Sequence, residues 1–259
     1  MSARDYHLHD GKKALIKTRL AKRVRKGKFK SYSDYLNYVL NDETGKEFSY
    51  LIDTLSTNLT QFFREQKHFD FLDKEYLPAV LKKKIVHHDN KIRAWSAGCS
   101  TGEEPYSIAI TVLESIKEFG DWNVKILATD ISTHVLEIAT QGTYDENRMK
   151  NISTHLKSSY FDRKRVRGED IYKVKQSLQN AVIFRYLNLM QDWPIRGPLD
   201  FIFCRNVMIY FDRTTQTRLV NRFWDLLAPG GLLFTGHSES LTGIEHKFKF
   251  VQPTIYIKE

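Results

Sequence analysis

From Lys91 onward, short apolar runs alternate with longer amphipathic stretches, and no other feature restricts the possible folds as much. Residues 92–97 (IRAWSA), 124–129 (VKILAT), 182–187 (VIFRYL), 200–204 (DFIFC) and 232–235 (LLFT) have strand length and strand composition. Between them, 105–119 spaces Ile108, Val112 and Ile116 at helical intervals. Pro105 suits a first helical turn, where its missing N–H costs nothing. Residues 132–140 form a second helical stretch with Ser132 as N-cap, and 213–227 puts Leu219, Phe223 and Leu226 on one face. A turn is expected at Pro229-Gly230-Gly231, and the terminal FKFVQPTIYIKE reads as two strands around Gln252-Pro253. This order predicts an α/β fold with a mostly parallel, doubly wound sheet and an antiparallel edge. Residues 142–181 interrupt it and are too long for an ordinary connection. A helical piece near 152–158 and β-like runs at Tyr160-Phe161 and 171–174 predict a small inserted β-rich subdomain.

Residues 1–75 read as helical. Within them, KKALIKTRLAKRVRKGKFK (12–30) carries ten basic residues and no acidic one. The whole chain has 40 basic and 31 acidic residues, a net charge of +9, so outside this segment 30 face 31. The positive excess therefore sits on one helix, whose thin apolar face is Leu15, Leu20 and Val24 with Ile16 beside it. Such a face suits an acidic partner: nucleic acid, anionic lipid or an acidic protein. Ser33 is expected to cap a helix to Leu40, and Phe48, Leu51, Ile52 and Leu55 predict another over 47–55. A further helix in HFDFLDKEYLPAVLKKK is expected to stop near Pro78, leaving 76–91 as a polar linker ahead of the α/β domain at 92–259. Two cysteines exclude a disulfide framework and a four-cysteine zinc site, so no metal is expected and the thiols point to a reducing cytoplasm. No apolar run reaches the ~18 residues of a membrane span, and MSARDYHLHDGKK has no signal-peptide core.

Four motifs carry chemistry. In WSAGCSTGEEPYSIA (95–109) a strand runs through a small-residue loop into a helix, with Gly98 and Gly102 permitting close backbone approach. The loop is neither G-x-G-x-x-G nor a P-loop. Glu103 and Glu104 directly after it disfavour a pyrophosphate and suit a cationic ligand such as S-adenosylmethionine. Asp130, ending the second strand (ILATD), is placed to accept hydrogen bonds from ribose hydroxyls. FIFCRNVMIYF (201–211) leaves Cys204, Arg205, Asn206 and Tyr210 at the carboxyl edge of the sheet. It lacks the Asn/Asp-Pro-Pro-aromatic run of many DNA-base methyltransferases. TNLTQFFRE (57–65) sets Asn58, Thr60 and Arg64 around an aromatic pair.

TNLTQFFRE, SAGCSTGEEPYSIA, ATDIS, FCRNVMIYFD and GGLLFTGHSES, in this order over residues 10–258, resemble the CheR family of chemotaxis receptor methyltransferases. The resemblance implies an N-terminal all-α domain followed by a Rossmann-like class I methyltransferase domain. That domain would hold a mostly parallel seven-stranded sheet with an antiparallel C-terminal hairpin and an inserted β-subdomain. It implies S-adenosylmethionine as cofactor, S-adenosylhomocysteine as product and receptor glutamates as methyl acceptors. Carried over, Asn58, Thr60, Arg64, Gly98, Glu103, Asp130, Asn188, Leu189, Arg205 and Asn206 would hold the cofactor, with Glu103 preferred to Glu104. Arg64 and Tyr210 would lie nearest the transferred methyl group. Arg19, Arg23 and Arg25 would dock on the acidic helical bundle of the receptor, with no nucleic acid or membrane insertion involved and the protein a cytoplasmic monomer. Some relatives tether to a receptor pentapeptide through a Gly-x-Gly-x-x-x-Gly loop. DRKRVRGEDIYKV has only Gly168 there, so pentapeptide independence is expected. The competing readings are a nucleic-acid methyltransferase, a non-catalytic S-adenosylmethionine-binding receptor module and, weakest, an NAD-dependent oxidoreductase.

Overall fold

The computed structural model describes residues 10–42, 47, 50, 51, 54 and 60–259, with side chains from Lys17 onward. Asn58 lies outside these residues. The basic segment is helical, as α1 (Asp10–Lys26), and α2 follows at Tyr32–Leu40. Ser31, not Ser33, caps α2: its extended backbone lets Oγ accept the Asp34 N–H at 3.0 Å, while Asp34 accepts the Lys30 N–H. Glu47, Tyr50, Leu51 and Thr54 are helical as expected. Leu20, Val24, Tyr35, Val39 and Leu51 close a small core.

Two of the predicted docking arginines are turned to internal work. Arg23 forms a two-pronged ion pair with the buried Glu47 carboxylate, which also accepts from the Tyr35 hydroxyl at 3.1 Å. Its guanidinium lies 4.8 Å over the Tyr50 ring and holds the Glu47 carboxyl below its ordinary range. Arg19 donates to the Thr54 carbonyl at 3.4 Å. The exposed basic face consists instead of Lys17, Lys22, Arg25, Lys26, Lys28 and Lys30.

The predicted linker is also different. A continuous helix, α3, spans 67–86: α-helical at Lys67–Phe71, π-helical at Leu72–Tyr76 and α-helical again at Leu77–Val86. Pro78 does not end it, because the ladder has just changed step: the Leu77 N–H donates to Leu72, five residues back. Phe69, Leu72, Leu77 and Leu81 are buried in the main core, and the Tyr76 hydroxyl donates to the Asp200 carbonyl at 2.6 Å. This stretch is therefore a layer of the α/β domain. Only the turn after Val86 connects it to the first strand.

The sheet contains β1 (Lys91–Ala97), β2 (Asn123–Asp130), β6 (Val182–Tyr186), β7 (Leu199–Cys204), β8 (Leu227–Thr235), β9 (Lys249–Gln252) and β10 (Ile255–Ile257). Its order is β6-β2-β1-β7-β8-β10-β9. The first five strands are parallel, and β10 runs antiparallel to both of its neighbours, β8 and β9. β8 begins five residues before the predicted strand, because Pro229-Gly230-Gly231 stays within it. The register slips opposite Leu199 and Phe201, and a Cβ at Gly231 would sit 2.8 Å from the Ala228 oxygen. Helices α4 (Glu103–Ile116), α5 (Thr133–Gln141) and α8 (Arg213–Leu226) complete the alternation. Ser132 caps α5 as predicted, accepting the Val135 N–H at 3.1 Å. On β7, Phe201 and Phe203 pack into the core under α3 and α4, and Ile202 and Cys204 into the one under α8. The sheet is thus covered on both faces, as its near-continuous apolar strands require.

The inserted subdomain is a three-stranded antiparallel sheet of β3 (Thr143–Asp145), β5 (Glu169–Val174) and β4 (Phe161–Val166), with short helices α6 (Thr154–Tyr160) and α7 (Gln176–Gln179). Arg167 and Gly168, both at positive φ, form the two-residue turn between β4 and β5. Tyr144, Tyr160 and Phe161 pack into the same core as α3 and α4, so the subdomain is fused to the main sheet.

Candidate active site

The carboxyl ends of all five parallel strands open on one edge of the sheet. After β1, the Gly98 and Cys99 amides both donate to the Thr129 carbonyl on β2, at 2.8 and 2.9 Å. Gly98 has φ +85, and a Cβ there would meet Val207 at 2.3 Å. Only glycine allows the first loop to touch the loop after β7. The Asp130 carboxylate accepts the Ser100 amide at 2.9 Å and the Ser132 amide at 3.0 Å, so it fixes the far side of the same loop.

The acidic pair after this loop divides between two surroundings. Glu103 is fully buried. Its oxygens accept from the Thr101 hydroxyl at 2.6 Å and from Arg148 of the inserted subdomain at 2.8 Å. Glu104 faces the strand ends, accepting from the Ser96 hydroxyl at 2.7 Å and lying 3.3 Å from Arg205. Residues one apart on a helix point about 100° away from each other, which is why adjacent glutamates serve different surroundings. Burial raises the Glu104 pKa, while Arg205, Ser96 and Arg64 pull the other way.

The TQFFRE stretch, residues 60–65, joins the sheet here. Phe62 is wholly buried, edge-on to Tyr144 and Phe161 at 5.0 and 5.6 Å, and the Phe63 amide donates to Ser107 on α4 at 2.9 Å. Phe63 and Glu65 take positive φ of +54 and +59, a costly conformation for such residues, held by these anchors on either side. The half-buried Arg64 between them accepts the Arg205 guanidinium on its carbonyl at 2.5 Å. Arg205, 5% exposed, is the centre of the cluster: 3.3 Å from both Glu65 and Glu104, and 5.8 Å over the rings of Phe69 and Phe203. Arg205 Nε is buried without a hydrogen-bond partner, and Glu65 Oε2 meets Arg205 without hydrogen-bond alignment. Thr60 is partly buried at the start of this segment, and Tyr210 ends a 3₁₀ turn (Met208–Tyr210) after Asn206, half exposed.

Beyond β6, Asn188 and Leu189 are buried in a loop stiffened from α8. Arg222 donates to the carbonyls of Leu189 and Gln191 at 3.0 and 2.8 Å and lies 3.6 Å over the Trp193 ring. Trp193 in turn stacks on Phe223. Sequence reasoning passed over Arg222, Arg148 and Glu65. The first two act on residues distant in sequence, but Glu65 stood beside Arg64 in a motif already singled out.

His68, next to this cluster, is 1% exposed, with Nε2 2.6 Å from the Thr254 hydroxyl. Burial, with Arg205 and His237 nearby, depresses its pKa from 6.5 to about 3; Glu65, 3.5 Å away, is already shared with Arg205. The unfolded chain therefore binds a proton that the fold excludes, and stability falls as pH drops below 6.5. Between pH 7 and pH 5 this group is expected to remove about 2 kcal/mol. Urea titrations at the two pH values check this, with His68→Gln losing that share of the pH dependence.

Residues 58–257 match the family model described as the CheR methyltransferase SAM binding domain, and residues 3–56 match that described as the CheR methyltransferase all-alpha domain. The chain is 41% identical over 254 residues to a chemotaxis protein methyltransferase of Borreliella burgdorferi, an alignment covering 97% of this chain and 88% of that one. It is 43% identical over 250 residues to chemotaxis protein methyltransferase 2 of Pseudomonas aeruginosa, covering 96% and 86%. It is 40% identical over 251 residues to the chemotaxis protein methyltransferase of Escherichia coli, covering 96% and 84%.

Proposed function

The chain belongs to the CheR methyltransferase family, and from that premise we propose that it methylates glutamate side chains of chemotaxis receptors, forming methyl esters. The observation that carries this reading is the attachment of Arg64 to the sheet edge through Arg205, which brings the FFRE segment to the strand-end loops. S-adenosylmethionine, when bound, supplies a methyl group made electrophilic by its sulfonium, and S-adenosylhomocysteine is released. The residues of this edge fit such a ligand: a glycine loop at positive φ, a carboxylate at the end of β2, and buried polar atoms of Arg205 and Glu65 with unused capacity. Asp130 would accept from its ribose, Asn188 and Leu189 would frame its adenine, and Thr60, Gly98, Arg205 and Asn206 would line the methionine end. Glu104 takes the role first given to Glu103, whose oxygens are engaged internally.

The receptor glutamate needs no general base, since a solvated carboxyl of reference pKa about 4.3 is ionised at pH 7. The task is orientation and partial desolvation, and Arg64 and Tyr210 would hold the carboxylate for in-line attack. Their hold must tighten in the transition state, because equal binding of both states does not speed the step. The test incubates the protein with methyl-labelled S-adenosylmethionine and receptor-containing membranes. Label on a receptor-sized band, released by mild base, is expected; an unlabelled receptor, or label that resists base, defeats the reading.

The exposed face of α1 would dock on the acidic receptor bundle from the cytoplasm, with the enzyme acting as a monomer. Replacing Lys22, Arg25 and Lys26 by glutamine is expected to weaken receptor methylation several-fold, most at low salt, with cofactor affinity unchanged. Arg23→Ala should instead lower stability, because it strands the buried Glu47 carboxylate. Methylation and calorimetry across a salt series separate the two effects. The two-residue β4–β5 turn supports pentapeptide independence, since it leaves no loop of the tethering type.

A further inference from the structure

The loop after β7 carries both Asn206 and Tyr210, and its shape is held from outside the loop. Asn206 sits at φ +59. Its amide donates to Glu239 Oε2 at 2.6 Å, and the Ile209 amide, next to Tyr210, donates to Oε1 at 3.2 Å. The Gly236 amide, just past the end of β8, also donates to Oε2 at 2.7 Å. Glu239 is 5% exposed, and it is backbone N–H groups that compensate its carboxylate. The two loops are pressed together: a Cβ at Gly236 would lie 2.7 Å from Asn206 Nδ2 and 2.7 Å from Glu239 Oε2.

We propose that Glu239 is a positioning residue for methyl transfer, clamping the Asn206–Tyr210 loop to the end of β8. It touches no reacting atom and acts through the backbone of the residues that do. The proposal rests on the methyltransferase reading for its catalytic consequence, though not for the clamp itself. A carboxylate is required, because both oxygens must accept. A glutamine would turn an NH2 group toward at least one of the three amides, whichever way it is flipped.

The test compares Glu239→Gln and Glu239→Asp with Asp200→Asn. Asp200 is a buried carboxylate at the opposite end of the same sheet, where it accepts the Arg93 amide at 2.7 Å and pairs with Lys84 at 2.9 Å. In Glu239→Gln, kcat for receptor methylation is expected to fall tenfold or more, beyond any change in receptor KM. Hydrogen exchange at the amides of 206, 209 and 236 should quicken while β7 stays protected. Glu239→Asp, which keeps the charge on a shorter arm, should fall between, and it serves alone if the glutamine variant does not fold. Asp200→Asn should lose melting temperature without a comparable loss of kcat. Turnover of Glu239→Gln within twofold of the wild type overturns the proposal, as does an equal loss in Asp200→Asn or unchanged exchange at the three amides. A wild-type protein that transfers no methyl group to receptors defeats the methyltransferase reading instead, and the exchange measurement still decides the clamp.

Discussion

Arg205→Met is expected to destabilise the protein by about 3–5 kcal/mol at pH 7, the range found when one partner of a buried ion pair is removed. Methionine replaces the volume and leaves the charges. The Glu65 and Glu104 side chains, 8% and 13% exposed, would lose the guanidinium 3.3 Å from each of them. The Arg64 carbonyl would lose its donor, releasing a turn with two residues at positive φ. The sign of the pH effect follows from the carboxyls. Burial already raises the pKa of Glu104, and without Arg205 it rises further, so the folded variant holds protons that its unfolded chain has released. The deficit against the wild type should therefore grow as pH rises from 5 to 7 and shrink on acidification. Adding Glu104→Gln to Arg205→Met should recover part of the loss, because one stranded charge is gone. Urea titrations at pH 5 and 7 measure all of this; a deficit below about 1 kcal/mol at pH 7 would mean that water already compensates the cluster.

The prominence of Arg205 also shows what kind of information a sequence hides. Outside the insert, the strand and helix order from Lys91 to the C-terminus was readable because hydrophobic period is local, and the observed boundaries differ by a few residues, apart from the start of β8; within the insert, β3, most of β4 and α7 were not read. The strand ends were readable for the same reason, and they alone put Asp130, Arg205 and Asn206 on one edge. Local pattern says nothing where a distant partner decides. Pro229-Gly230-Gly231 has the composition of a turn, but pairing with Lys258 on either side keeps it in the strand. Pro78 looks like a helix stop, but apolar residues on both sides of it have a sheet to cover. Glu103 and Glu104 are indistinguishable by type, and Arg148, 45 residues on, determines which is engaged internally. Arg23 counts as surface charge until Glu47 is seen beneath it. Except for the π-helical step before Pro78, which is local, each case is a contact between residues far apart in sequence, and no window of ten or fifteen residues contains it.

That long-range geometry carries the last prediction. Arg64→Ala is expected to lower kcat for receptor methylation by about 10²–10³, the usual cost of removing one preorganised donor from a site of developing charge change. Cofactor affinity should fall by much less. The segment around Arg64 is held by its backbone and by its neighbours, with Phe62 in the core, the Phe63 amide on Ser107 and the Arg64 carbonyl on Arg205, and none of these contacts uses the Arg64 side chain. Truncating that side chain leaves these three anchors in place. Arg64→Lys should recover little, since an ammonium cannot reproduce the planar fork that fits a carboxylate. Tyr210→Phe, which deletes one hydroxyl from a half-exposed ring, should cost about tenfold, near one hydrogen bond to a charged group. Single-turnover transfer from labelled S-adenosylmethionine, set beside calorimetric cofactor affinities, separates the two quantities. A parallel fall in both for Arg64→Ala would make it a cofactor ligand alone, and leave the acceptor carboxylate to other groups on this edge.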